Sequence, residues 1–332
     1  MIDLQKFFHD FENLVNLFEK RNITRESLLI IKNKLSQKNK LIKETSQLRQ
    51  KRNQLSQEKP KSTKEVWEIK EKISYQEEEL NKLQKELEDL INQLPNLPAS
   101  DTPNNQEGNR IVDITEYQHS IQHNLTYDKI LRKLALIDEK KSLFLSGSKF
   151  AVYQNLGSQL LHALINFLRT ENSKRGYSLF DVPYIVNDYN LFHTGQLPKF
   201  QDDLYKVQGS NFYLIPTAEV SLVNLYQRQI LTEEVLPLKL CAYSPCFRAE
   251  AGATGQENKG LVRLHQFHKV ELVKIVKPEN SYLELEELVV DARNILQKLK
   301  ISHRVIELCY EELGFSATKT YDLEVWLPVS KK

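Results

Sequence analysis

The chain predicts an α+β fold in two parts, an N-terminal antiparallel helical coiled-coil hairpin followed by an antiparallel sheet flanked by helices. Three observations carry that expectation. A heptad-spaced apolar seam runs through most of the first hundred residues. A polar stretch containing Pro and Gly then interrupts the pattern. Beyond it, strand-like runs alternate irregularly with single helices, without the repeating βαβ order of a parallel sheet.

The seam comes first. Val66, Ile69, Ile73, Gln76, Leu80, Leu83, Leu87, Leu90 and Leu94 advance by alternating steps of three and four, and only Gln76 is not apolar. Pro95 and Pro98 stop that helix. Upstream, Leu41, Leu48 and Leu55 recur at seven, preceded by Leu28, Ile31 and Leu35. Between the two runs, QEKPKST holds Pro60 and an N-cap at Ser62 or Thr63, and reads as a turn. Two helices of roughly 30 residues make a hairpin about 45 Å long. One narrow seam cannot bury a globular core, so the hairpin must project as an arm. Its first helix and turn are rich in Lys and Arg, whereas the second leans acidic through Glu77, Glu78, Glu79, Glu86, Glu88 and Asp89. Pairing across the seam accounts for part of this asymmetry. The excess of cations toward the tip suits phosphate contacts.

Residues 96–110, NLPASDTPNNQEGNR, read as a linker. After it, Leu156 to Leu168 has the pattern of a buried amphipathic helix, and a second helix is expected from Ser281 to Leu299. DVPYIV, FYLIP, KLCAYSPCF, HKVELVKIV and TYDLEVWLP read as strands.

Composition narrows the setting. Charged residues make up 27%, hydrophobic ones 40%, and the formal net charge is +2, so bulk charge says nothing about nucleic acid. No apolar run approaches the roughly 18 residues of a membrane span. The start, MIDLQKFFHDFENL, lacks the basic region and apolar core of a secretory signal. Cys241, Cys246 and Cys309, an odd number without CxxC spacing, argue against a disulfide framework and a structural zinc site. Buried reduced thiols, a cytoplasmic location and no protein-bound metal are expected.

The most informative segment is Phe247 to Glu271, FRAEAGATGQENKGLVRLHQFHKVE. Its ends read as strands and its middle as a polar loop in which Gly252, Gly255 and Gly260 allow closure. On extended backbone Arg248 and Glu250 share one face. Arg263, His265, Phe267, Lys269 and Glu271 share a face on the returning strand, while Leu264, Val270 and Leu272 take the other. Arginines, a ring and carboxylates on one surface suit a ligand with phosphates, a flat base and an amine. A merely solvated hairpin face has no need of Phe267 between His265 and Glu271. No GxGxxG or GxxxxGK[ST] occurs, so a nucleotide would bind on the sheet face.

These residues resemble bacterial-type seryl-tRNA synthetase, a class II aminoacyl-tRNA synthetase. The resemblance runs from the N-terminus to about residue 328 and is dense in GQLPKF (195–200), DLYKV (203–207), LIPTAEV (214–220), CFRAEAG (246–252), GLVRLHQFHKVELV (260–273) and KTYDLEVWLP (319–328). It implies a tRNA-binding arm over residues 1–108 and a class II catalytic domain over 109–332. The implied reaction joins serine and ATP into seryl-adenylate, with Mg2+ on the phosphates, and then transfers serine to tRNA(Ser). By the match, Arg248 contacts the α-phosphate and the serine carboxylate. Ala249 and Glu250 lie in the same ATP pocket, Phe267 stacks on adenine beside Leu264, and Arg263 is a further phosphate contact. Glu271 reads the bound serine, and Thr217, Ala218 and Glu219 form the other serine-binding element, with Thr217 and Glu219 expected on one strand face. Arg248 and Glu271 would carry most of the chemistry, which here is positioning and charge stabilisation. His265 is expected to shape the pocket. Lys38, Lys43 and Arg52 would contact the long variable arm of the tRNA. The family's motif 1 region, matched at 155–186, implies a homodimer.

The match also shows departures. The chain ends at Lys332, just past EVWLP, where the family continues with an acidic ATP–magnesium ligand and the motif 3 arginine. The expectation is a fold incomplete before motif 3 and no adenylate formation by residues 1–332 alone. Tyr310, Glu311 and Glu312 stand where the family reads TGD, Gln256 and Lys259 occupy basic positions of the motif 2 loop, and the segment near His123 fits only loosely. The alternative reading is a non-catalytic synthetase paralogue or remnant that binds tRNA or a partner subunit through the arm.

Overall fold

The computed structural model describes residues 2–58, 63–105, 108–118, 125–251 and 261–329. By internal contacts the chain divides into two compact units, residues 1–110 with 307–320 and residues 111–306 with 321–332. Several expectations fall outside the described residues: the turn at Pro60 and Ser62, the segment at His123, the glycines and Gln256 and Lys259 of the 252–260 loop, and the last three residues.

In the first unit, α1 (Lys6–His9) and α2 (Phe11–Glu19) precede two long helices, α3 (Arg25–Glu58) and α4 (Thr63–Ile91). The seam closes as its spacing requires. Leu28, Ile31 and Leu35 of α3 are buried with Leu83, Leu87 and Leu94, in one cluster with Phe7, Phe11, Leu14, Val15 and Phe18. Those last five residues recur at helical spacing, so α1 and α2 lay an apolar stripe over the root of the hairpin. Each such side chain contributes on the order of 1.5–3 kcal/mol on burial. The seam's one polar position has a partner. Thr45, 4% exposed, donates to Gln76 Oε1 at 3.0 Å, and Gln76 Nε2 reaches Glu44 at 3.4 Å. Lys34–Glu86 at 2.6 Å, Arg49–Glu77 at 2.7 Å and Lys51–Glu65 at 3.1 Å pair across the seam edges.

The stretch expected to be a linker is instead tied down. Asn96 N–H donates to Phe315 O at 2.8 Å and Ala99 N–H to Thr318 O at 2.9 Å. Asn105 and Asn109 use their side-chain oxygens to accept from the backbone N–H of Glu311 and Cys309, both at 2.9 Å. The amides that made this segment look like linker are what fasten it. Arg21 donates to the carbonyls of Leu313, Gly314 and Ala317 at 3.1, 3.0 and 3.3 Å. Glu307, 2% exposed, pairs with Arg110 at 2.6 Å and lies 3.6 Å from Lys319.

The second unit runs β1 (Arg110–Thr115), α5 (Tyr127–Lys133), α6 (Glu139–Ser146), α7 (Leu156–Lys174), β2 (Ser178–Phe180), β3 (Ile185–Asn187), α8 (Asp188–His193), β4 (Phe212–Leu214), α9 (Glu219–Asn224), β5 (Leu238–Phe247), β6 (Gln266–Ile275), α10 (Ser281–Lys298), β7 (His303–Glu307) and β8 (Tyr321–Val325). Among the described residues the strands group as β1-β7-β8, β2-β5-β6 and β3-β4. β5 pairs antiparallel with β6, as does β3 with β4, whereas β2 pairs with β5 in parallel. The sheet is therefore not wholly antiparallel. The long connection through α8, β4 and α9 returns the chain to β2 in the same direction, which a tight hairpin does not permit.

Helices flank the central sheet as expected. One face carries Leu240 and Ala242 in a cluster with Val182 and with Ala218 and Leu222 at α9. α7 and α10 also pack against the β5–β6 pair. There Lys274, 4% exposed, pairs with Glu284 at 2.9 Å and Asp291 at 3.7 Å, while Tyr177 OH donates to Asp291 at 2.6 Å. A buried lysine tolerates its desolvation only with such partners. Near the start of α7, Gly157 lies so close to Leu136 that a Cβ would sit 1.9 Å from its carbonyl oxygen.

Candidate active site

The register of β5 and β6 builds the floor. Cys246 lies opposite Phe267, Ser244 opposite Lys269 and Ala242 opposite Glu271. Directly paired residues point to one face, and the three on β5 are small and fully buried. The larger, half-buried side chains of β6 therefore form the relief of that face.

At one end stand Arg248 and Phe267. The Arg248 guanidinium carbon lies 5.1 Å from the centre of the Phe267 ring, a cation–π contact. β5 ends at Phe247, but Arg248 N–H still bonds to His265 O at 2.9 Å, and His265 Nδ1 donates back to Arg248 O at 3.0 Å. His265 thus holds the backbone of Arg248 in place. Asp203, to which the sequence reading gave no role, supplies the next support. Its backbone carbonyl accepts from Ala249 N–H at 2.8 Å and its carboxylate from Ala251 N–H at 2.9 Å.

Beyond Arg248 the expected strand alternation stops. Glu250 has φ 52°, a left-handed conformation that breaks extended backbone, so Arg248 and Glu250 do not share a strand face. Glu250 is instead paired with Arg263 at 2.6 Å. Arg263, Leu264 and His265 precede β6, and Leu264 is buried.

At the other end Thr217, Glu219, Lys269 and Glu271 meet. Thr217 and Glu219 do not lie on a strand. Residue 218 is the N-cap of α9 and Glu219 its first residue. Pro216 stands beside this element, and the helix bonds begin at once. Leu222 N–H already bonds to Ala218 O at 2.9 Å. Ala218 itself is fully buried. The turn nevertheless brings them beside Lys269 and Glu271. Thr217 Oγ1 donates to Glu271 Oε2 and accepts from Glu219 N–H at 3.2 Å. Lys269 Nζ donates to Thr217 Oγ1 at 3.2 Å and pairs with Glu271 Oε2 at 2.5 Å. Burial pushes the Glu219 carboxyl above the usual glutamate range, and the charge of Glu271 adds to that, while Lys269 and Arg248 oppose it. Two cations and two carboxylates thus share one partly desolvated surface with an aromatic ring, a set of groups chemically suited to a zwitterion joined to a planar, anionic group.

Residues 201–332 match the family described as tRNA synthetase class II core domain (G, H, P, S and T). The serine–tRNA ligase of a Sulfurihydrogenibium species is 49% identical over 243 residues, 72% of this chain and 58% of that protein. That of Heliobacterium modesticaldum is 53% identical over 195 residues, 59% of this chain and 46% of the relative. This chain is similar in sequence to serine–tRNA ligases. It spans about half the length of the curated relatives it matches. Among solved structures, the seryl-tRNA synthetase of Pyrococcus horikoshii complexed with ATP superposes with TM-score 0.92 at 28% identity, covering 100% of this chain and 82% of that one. The cytoplasmic serine–tRNA ligase of Naegleria fowleri in complex with AMP gives TM-score 0.88 at 25% identity, covering 99% of this chain and 80% of that one. The α+β fold with an N-terminal helical hairpin and a class II core agrees with this seryl-tRNA synthetase relationship.

Proposed function

We propose that this chain belongs to a serine–tRNA ligase that activates serine with ATP and transfers it to tRNA(Ser). The observation that carries the reading is the pairing on one sheet face of Arg248 and Phe267 with the Thr217–Glu271–Lys269 cluster. A serine carboxylate oxygen attacks the α-phosphorus of ATP, the bond to the β-phosphate breaks, and pyrophosphate leaves with the electron pair. Arg248 is the group placed to neutralise charge on the α-phosphate oxygens as it grows. Phe267 takes the adenine ring, with Leu264 beside it, and Ala249, Glu250 and Arg263 complete the ATP pocket. Thr217, Ala218, Glu219 and Glu271 take serine, its ammonium meeting the carboxylate of Glu219. No side chain acts as a covalent nucleophile. Mg2+ would accompany ATP as the counter-ion of its phosphates.

The arm of α3 and α4 takes the tRNA. Lys43 is exposed, Lys38 is half-buried, and among the described residues neither is held in an ion pair. Arg52 turns to Asn53 Oδ1 at 3.1 Å, a neutral partner that a phosphate outcompetes. A homodimer is supported by the apolar stripe of Leu156, Leu160 and Leu164, which α7 leaves exposed. No helix among the described residues is long and apolar enough to cross a membrane. Three free, buried thiols support work in the reducing cytoplasm.

The test is direct binding. Calorimetry with the stable analogue 5′-O-(N-L-seryl)sulfamoyl adenosine, against its glycyl, prolyl and threonyl counterparts, should show a preference for the seryl compound. Equal or absent binding of all four by a folded protein overturns the reading.

A further inference from the structure

Lys269 has been given no ligand contact, yet it touches both Thr217 and Glu271 of the serine-side cluster. Its ammonium lies 2.5 Å from Glu271 Oε2 and 3.2 Å from Thr217 Oγ1, and Thr217 donates to that same Oε2. Both contacts of Glu271 fall on one oxygen. Among the described residues Oε1 carries no hydrogen bond. The Lys269 side chain is 35% exposed and that of Glu271 is 14% exposed, so the pair is partly withdrawn from water and its geometry is more than a fleeting surface contact.

We infer that Lys269 is a specificity-determining positioning residue. It locks Glu271 through Oε2, together with Thr217, and so presents Oε1 as a fixed acceptor for a hydroxyl on the bound amino acid. The inference rests on the seryl-adenylate reading and extends it to a residue that does not itself touch the serine hydroxyl. The physical case has three steps. An ionised carboxylate is acceptor-only, so it recognises a hydroxyl donor and gains nothing from a methyl group. A site built around such an acceptor rejects the analogue lacking the hydroxyl, because the acceptor is then left desolvated and unpaired. That rejection is strong only if the carboxylate cannot swing away to find water, and Lys269 and Thr217 are the groups that prevent it. Lys269 also stands among the charges that let Glu219 and Glu271 share the surface, since Arg248 and Lys269 are the cations acting on Glu219.

The experiment uses the full chain, calorimetry and two probes, the seryl and alanyl sulfamoyl-adenosine analogues, which differ by one hydroxyl. Four proteins are compared: the unchanged chain, Lys269→Met, Glu271→Gln and the double variant. Lys269→Arg serves as the conservative rescue, and thermal melts identify any variant that fails to fold. The unchanged chain should favour the seryl analogue. Lys269→Met should cut the seryl-to-alanyl affinity ratio by about tenfold or more while leaving affinity for AMP within about twofold. Adding Lys269→Met to Glu271→Gln should change the ratio no further, because the lysine acts through that carboxylate. Lys269→Arg should restore most of the ratio. An unchanged ratio in Lys269→Met alongside a collapsed ratio in Glu271→Gln overturns the role of Lys269 and leaves the seryl-adenylate reading standing. Additive losses in the double variant also overturn it. Absence of any seryl preference in the unchanged chain overturns the seryl-adenylate reading itself, and the inference falls with it.

Discussion

The arm and the sheet face handle charge in opposite ways. On α3 and α4 the charged groups are largely exposed, and pairs such as Arg49–Glu77 run along the outside of an apolar seam. On the β5–β6 face, Lys269, Glu271 and Glu219 are drawn partly out of water and bound into one network with Thr217. Exposed charges are individually worth little and act in numbers, through counter-ion release. Partly buried ones are strongly coupled, and each is costly to remove. The arm should therefore tolerate single changes and fail gradually, whereas the sheet face should fail at single atoms.

The largest expected effect lies behind the sheet. Gly157→Ala places a Cβ 1.9 Å from the Leu136 carbonyl oxygen, and both partners are backbone that cannot rotate aside. A loss of about 3 kcal/mol in unfolding free energy is expected by denaturant titration. No single Ala substitution at an exposed arm position should approach that. A loss below about 1 kcal/mol would mean that the close approach is not maintained.

Next is Arg248→Ala. Losing one charge-assisted contact to the phosphate side should weaken the seryl-adenylate analogue by about 10- to 100-fold in calorimetry, with little change in thermal stability. The side chain rests on a ring rather than inside a core, which is why binding and stability should separate. If stability fell as much as binding, Arg248 would be scaffold.

How much of this was legible in the sequence follows from the same contrast. The seam was readable because a coiled coil repeats, but the partner of its single exception, Gln76, was not: Thr45 answers it from the other helix. The role of residues 307–320 in the first unit was not readable. It depends on Arg21 meeting carbonyls 292 or more residues away and on the asparagines of 96–110 meeting groups 200 or more residues away, and no local period records that. Phe267, Lys269 and Glu271 were readable as one face because β6 is regular. Glu250 was misplaced because one left-handed residue ends the alternation on which the reading relied. Thr217 and Glu219 were assigned to the wrong element by pattern, since a helix of six residues is too short to show a period.

The arm offers the next test of the contrast. Lys38→Glu, Lys43→Glu and Arg52→Glu together should lower tRNA affinity by about tenfold or more at low salt. They should also flatten the slope of log affinity against log salt by about 2, since each phosphate contact contributes roughly 0.7–0.9. Each single reversal should have a far smaller effect. Unchanged affinity and slope in the triple variant would remove these residues from the tRNA interface.

Glu219 gives the finest test, because here the two styles of charge predict different responses to pH. An exposed glutamate is indifferent to replacement by glutamine. Glu219 is half-buried, and burial together with Glu271 raises its folded-state pKa. A carboxyl raised on folding favours the folded state fully only below its unfolded pKa. That contribution is lost as pH rises through the unfolded and then the folded value, so at neutral pH the ionised side chain is a cost to stability. Glu219→Gln removes the titration. Its melting temperature relative to the unchanged chain should therefore climb as pH goes from about 4 to 7, by a small positive amount at the upper end. Its affinity for the seryl analogue relative to the unchanged chain should fall over the same range, because only the unchanged chain gains a carboxylate for the ammonium. A difference in melting temperature that stays flat with pH would show Glu219 to be as water-exposed as the charges of the arm. A site that keeps a destabilising carboxylate is one where binding, rather than folding, uses the charge.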